Sequence, residues 1–175
     1  MRYRRFVVCL LPALAVAATL NSSHPHGPIQ AFKTIASLRH VFAIFTSSSN
    51  PEFRCLISDA MRFDPKHMVA TYVWTFMGLD GDERKTATFD ISPGSVPDQL
   101  TFYVDHDFST PYTAYYNYSN YENCLVAIIP YHGENLCMLW ADRSVADSVP
   151  ADCQQQYEDT CNVRFLDYDK KICNF

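Results

Sequence analysis

The sequence predicts a mainly β fold: an eight-stranded antiparallel β-barrel with an N-terminal helix and a C-terminal helix packed on the outside. Three observations carry the prediction. Between positions 41 and 141, eight short apolar and aromatic runs rich in β-branched residues and tyrosine are each bounded by turn chemistry. The separators are short, which favours antiparallel neighbours. Eight such strands close into an up-and-down barrel whose interior accommodates one small ligand.

The start of the chain sets the compartment. Arg2, Arg4 and Arg5 precede an apolar stretch at 6–18, with small residues at Ala15-Val16-Ala17-Ala18 as a cleavage site. The stretch has signal-peptide length and is too short to span a membrane. We therefore expect a signal peptide over 1–20, one domain over 21–175, and a secreted, extracellular, monomeric product. Losing the three arginines moves the formal net charge from −5 to −8 and leaves no basic patch for nucleic acid or an anionic membrane. Sequons at Asn21-Ser22-Ser23 and Asn117-Tyr118-Ser119 make Asn21 and Asn117 candidate glycosylation sites.

The first predicted element is a short amphipathic helix in which Ile29, Phe32, Ile35, Ala36 and Leu38 recur at helical spacing, with Pro28 in a first-turn position. The strands follow near 41–47, 53–61, 68–77, 85–91, 100–105, 112–119, 123–129 and 135–141. Separators such as Ser48-Ser49-Asn50-Pro51, Asp64-Pro65, Ser92-Pro93-Gly94 and His132-Gly133 divide them. A second helix is expected after Ser148 as its cap, with Pro150 early and Asp152 in the first turn.

Six cysteines remain after the leader: Cys55, Cys124, Cys137, Cys153, Cys161 and Cys173. An even count in an exported chain predicts three disulfides, and no Cys-x-x-Cys pair supports a metal site. Cys153 and Cys161 lie on one helical stripe, about 12 Å apart. In the hairpin of the last two strands, Cys137 falls opposite roughly Ile128, about 13 Å along the strand from Cys124. The spacing supports two disulfides between helix and hairpin in either pairing, with Cys55 and Cys173 as the third. Strand alternation then turns Leu125, Ala127 and Ile129 inward together with Met138 and Trp140. Tyr72, Trp74 and Phe76 share one strand face that either lines the cavity or packs under a helix. Among the tyrosines of the sixth run, Tyr116 is a candidate for stacking on a ligand.

Ala31-Phe32-Lys33, Phe53-Arg54-Cys55, Asn123-Cys124, Leu139-Trp140, Val149-Pro150-Ala151-Asp152-Cys153 and the terminal Cys173 together resemble the histamine-binding family of tick salivary lipocalins. The resemblance covers the mature chain and implies a lipocalin-like barrel. It also implies Cys55–Cys173 and Cys124–Cys153 bridges, which leaves Cys137 for Cys161. Members of that family sequester small host mediators, with histamine and other biogenic amines as the default and eicosanoids as a further class, countering host inflammatory defence. A buried amine needs a carboxylate and hydrogen bonds to offset its desolvation, with aromatic faces adding attraction. Where the amine binders carry acids, this chain has Leu125 and Met138; a third such acid aligns near Tyr115, and Asn50 stands in the first inter-strand loop. An apolar cavity better suits a leukotriene or fatty-acid-like ligand held by one or two donors, with Arg54, Arg62, Arg84 and Lys85 as candidates. Glu83 and Asp90 are the acids left near strands for an amine, Glu83 being the candidate pocket residue.

His24, His26 and the Asp105-His106-Asp107 set lack a completing cluster, so no metal is expected. There is no Gly-x-Ser-x-Gly, His-Glu-x-x-His or Gly-rich phosphate loop, so neither an enzyme nor a cofactor is expected. The remaining alternative is a filled barrel whose loops bind a host protein such as a protease or complement component, since fold alone does not fix function.

Overall fold

The computed structural model describes residues 28–77 and 84–173; the expected leader, Asn21, His24, His26 and Glu83 lie outside them. Helix α1 is Ala31–Ser37. The strands are β1 His40–Thr46, β2 Ile57–Asp64, β3 Val69–Phe76, β4 Lys85–Pro93, β5 Gln99–Val104, β6 Tyr112–Ser119, β7 Cys124–Tyr131 and β8 Glu134–Asp142. Helix α2, Ala151–Thr160, and a two-residue strand β9, Phe165–Leu166, complete the described elements. Strands β2 to β8 pair antiparallel in sequence order, and β1 closes the ring by pairing with both β8 and β2. β9, which the sequence pattern did not suggest, adds to β1 through Phe45 and Thr46.

α1 stops one end of the barrel. Its Phe32 and Ile35, with the flanking Ile29 and Leu38, are buried in the interior cluster. The helix starts three residues after Pro28, which is therefore not in its first turn, and Gln30 makes no side-chain cap. The barrel supplies the partners that a helix N-terminus lacks: Gln30 N–H donates to the Tyr121 hydroxyl at 2.9 Å, and Ala31 N–H to the Pro97 carbonyl at 2.8 Å. The Tyr72 hydroxyl donates to the Ile35 carbonyl from within the barrel.

The run expected to start at Phe53 begins as a strand only at Ile57. Asn50 caps a short 3₁₀ turn, Pro51–Phe53, by accepting from Glu52 N–H at 3.0 Å, and Cys55 adopts a left-handed φ of 57° before the strand. A bulge at Asn117 switches the sense of β6: Tyr116 faces inward opposite Ala127, whereas Tyr118 faces outward opposite Val126.

α2 packs outside, on β6 to β8. Ser148 does not cap it; Pro150 holds that position, and the first-turn Asp152 carboxylate instead accepts from the Tyr118 hydroxyl at 2.7 Å. Cys153 and Tyr157 are fully buried against Val126, Leu139 and Ala141 in an outer core distinct from the barrel interior. Cys137 lies opposite Ile128, and Cys124–Cys153 and Cys137–Cys161 bridges fasten α2 to the hairpin. Cys55–Cys173 secures the tail. The two clamps close loops of 29 and 24 residues, so reduction is expected to remove about 3 kcal/mol for each. A melting temperature unchanged by full reduction would contradict that role.

Asp167 in the tail is 4% exposed, and its Oδ2 has no hydrogen-bond partner among the described residues. Its backbone is well tied: Asp167 N–H donates to the Ile44 carbonyl, and its carbonyl accepts from Cys55 N–H. Burial raises its carboxyl from 3.8 to about 8, with Arg54 opposing the shift only in part. The native state thus binds more protons than the unfolded chain between those values, and stability falls as pH rises through the window. Asp167→Asn is expected to flatten this dependence and to stabilise the protein near pH 8 by roughly 1–3 kcal/mol. Urea melts of both proteins at pH 4 and pH 8 read the difference.

Candidate ligand-binding site

The barrel interior is built from strand alternation. Leu125, Ala127, Ile129 and Tyr131 point inward from β7, and Leu136, Met138 and Trp140 from β8. Their neighbours Cys124, Val126, Cys137 and Leu139 point to α2. Tyr72, Trp74 and Phe76 from β3 also face the interior, and Tyr72 does both jobs foreseen for that face, since it bonds to α1 as well.

Within this interior is a cavity of about 50 Å³. Leu125, Ile129, Trp140, Tyr72, Trp74 and Tyr116 border it, whereas Ala127, Met138 and Phe76 face inward without reaching the void. Sequence reasoning missed Ile35 from α1 and Leu38 just after it, Ser58 from β2, and Phe89 and Phe102 from β4 and β5. The alternation Ala87, Phe89, Ile91 and Leu100, Phe102 was present in the sequence, but nothing in those strands fixed which face was inward.

Aromatic rings fill the space between the cavity and the loop end opposite α1. Trp74 lies 4.5 Å from Phe89 and 5.3 Å from both Trp140 and Tyr131, centroid to centroid. Nearer the mouth, Tyr131 stacks on Phe76 at 5.9 Å and meets Phe53 edge-on at 6.4 Å. The cavity has room for a few waters, far below the roughly 300 Å³ of a drug-sized pocket. A larger guest must displace some of these rings.

Among the described residues, no Asp, Glu, Lys or Arg borders the cavity. Asp90 faces outward, where it accepts from Thr71 and pairs with His106 at 2.6 Å. Tyr115 is also outside and half exposed. Arg62 is exposed beside Asp64, Arg84 is exposed, Lys85 pairs with Glu52 at 3.8 Å, and Arg54 lies near Asp167. Asp105, His106 and Asp107 diverge to Thr88, Asp90 and Ser109, and no group of three or more metal-ligating residues converges among the described residues. Burial pushes the Tyr72 and Tyr116 hydroxyls up, so both remain protonated donors. At the mouth the Tyr131 hydroxyl is pushed up to about 12, first by burial and then by the Glu52 and Asp105 carboxylates.

A closed antiparallel barrel with an apolar interior, one end stopped by a helix and a second helix outside, defines a lipocalin-like protein of the small-molecule-binding class. The sequence profile of the tick histamine binding protein family matches residues 24–174, and the chain belongs to that family. Two solved structures share the fold. AM182, crystallised as a serotonin complex, superposes with a TM-score of 0.63 at 14% identity, covering 83% of this chain and 94% of that one. Japanin from Rhipicephalus appendiculatus, solved bound to cholesterol, gives 0.59 at 12% identity over 82% and 99%. No curated protein sequence matches the chain.

Ala114 borders the cavity from β6. Ala114→Val is expected to fill part of it and stabilise the fold by about 0.5–2 kcal/mol, while weakening any guest held there. Denaturant melts and a binding titration on the same sample check both effects.

Proposed function

We propose that this protein is a secreted, non-catalytic scavenger that holds a neutral, largely apolar small molecule inside its barrel, removing a host mediator by stoichiometric capture. The observation that carries the reading is the cavity wall, which apart from Ser58 is aromatic and aliphatic and has no charged side chain among the described residues. A protonated amine placed there has no carboxylate to offset its lost hydration, and an ionised fatty acid has no cation. A neutral molecule with one or two oxygens suffers neither penalty. The same argument moves the expected ligand away from histamine and away from a leukotriene carboxylate.

Family membership supports capture of a small molecule, and the cholesterol held by japanin is a guest of the neutral, apolar kind. Such a guest exceeds the 50 Å³ void, so binding requires Trp74, Phe76, Tyr131 or Phe53 to turn aside toward the mouth. The basic and apolar pattern of 1–20, read as a leader, supports export of a 21–175 domain, and Asn117, exposed on the β6 bulge, is open to a glycan.

A second reading has a specific observation behind it. The charges of Glu52 and Asp105 act on the Tyr131 hydroxyl, and an amine there would compete with Lys85 for Glu52 and with Thr88 N–H for Asp105 beside aromatic rings; AM182 was solved with serotonin. Parallel calorimetric titrations with histamine, serotonin, a leukotriene and cholesterol, followed also by tryptophan fluorescence, separate the two. Saturable cholesterol binding with amine silence is the expected outcome. Serotonin or histamine binding that Glu52→Gln and Asp105→Asn abolish, with no cholesterol binding, would replace the first reading with the second.

A further inference from the structure

The most informative group in the barrel is the Tyr116 hydroxyl. Tyr116 is 8% exposed and borders the cavity, yet the influences on its hydroxyl are burial and the nearby Tyr72, with no hydrogen-bond partner among them. Of the buried tyrosines, Tyr131 also has a hydroxyl influenced by burial and nearby charges alone, but it does not border the cavity; three others are hydrogen-bonded. Tyr72 donates to the Ile35 carbonyl, Tyr118 to Asp152 and Tyr157 to the Val163 carbonyl. A buried tyrosine hydroxyl ordinarily finds a partner, because leaving it without one costs free energy. Nor is Tyr116 Oη a sealed orphan of the kind Asp167 Oδ2 is; it opens onto the void.

The rest of the cavity defines what would satisfy it. Tyr72 has committed its proton to α1, so the free proton beside it belongs to Tyr116. Ser58 borders the void from β2, four strands away around the eight-strand ring and hence on the opposite wall. Every other residue bordering the void is apolar or aromatic. Among the described residues the cavity thus offers a phenolic donor, no acid and no base.

We propose that Tyr116 is the anchor of the ligand: its hydroxyl donates to a single acceptor oxygen, a carbonyl or hydroxyl, of an otherwise apolar guest that enters oxygen-first toward α1. This assignment rests on the neutral-ligand reading above and adds the chemical group recognised and the orientation. Discrimination follows from the physics of the empty donor. A guest lacking the oxygen would bury the Tyr116 hydroxyl unpaired, which is worth roughly tenfold in affinity.

The test compares oxygenated and deoxygenated probes on wild type, Tyr116→Phe and Ser58→Ala. The probes are cholesterol against cholest-5-ene and 2-undecanone against undecane, titrated by calorimetry and displacement. In wild type the oxygenated member is expected to bind about tenfold tighter, and in Tyr116→Phe the ratio is expected to fall to about one through weaker binding of the oxygenated probe. Because the hydroxyl holds no protein partner, Tyr116→Phe should melt at or above the wild-type temperature, which separates a lost anchor from a lost fold. Equal ratios in wild type and Tyr116→Phe, or a ratio abolished by Ser58→Ala alone, would overturn the anchor while leaving the neutral-ligand reading standing. Failure of all four probes to bind wild type would overturn both.

Discussion

Everything inside this barrel depends on the sidedness imposed where α2 is bolted to the β7–β8 hairpin. Cys124 and Cys137 must face the helix to meet Cys153 and Cys161, and the pleat then sends Leu125, Ala127, Ile129, Met138 and Trp140 the other way. A slip of one residue in this hairpin would bury sulfur in the barrel and turn Trp140 toward α2, so the covalent bonds hold the register that the apolar pattern already favours. The outer core of Tyr157, Val126 and Leu139 and the inner core around Trp140 lie on the two faces of the β7–β8 hairpin.

That constraint explains which parts of the structure were legible in the sequence. The order of elements and the eight strands followed from turn chemistry and alternation. The inward face of β7 and β8 followed from the cysteines, because a disulfide is a landmark that fixes parity. β4 and β5 have no such landmark, so Phe89 and Phe102 went unassigned although their alternation was plain. Ser58 was missed because Phe53 and Cys55 belong to a capped turn rather than to the strand, and the reading frame of β2 begins only after it. The Asn117 bulge lets Tyr116 and Tyr118 point to opposite faces despite equal parity. Ser148 looked like a helix cap because serine is good at that task, but Asp152 is engaged by Tyr118, and Ala151 begins the helix without a side-chain cap.

The interior also shows how one wall can serve stability and recognition at once. Rings 4.5 to 6.4 Å apart form a nearly filled core, and packing of that kind contributes to folding whether or not a guest is present. What distinguishes the wall from an ordinary core is its polar remainder, the hydroxyls of Ser58 and Tyr116. Family membership fixes the architecture, and the side chains on its inner wall, Leu125 among them, set the chemistry that the architecture presents. Fold and ligand preference are therefore separable here.

The position of β1 has a consequence for how the chain is made. Its two barrel partners are β2, the next strand in sequence, and β8, nearly a hundred residues later. During synthesis β1 and α1 emerge first, yet the barrel has no closed interior to cover Phe32, Val41 or Ile35 until β8 has arrived. An open, growing sheet with two unpaired edges must persist through most of translation. Closure of the ring is therefore a late, non-local event in folding, because it waits on the last strand.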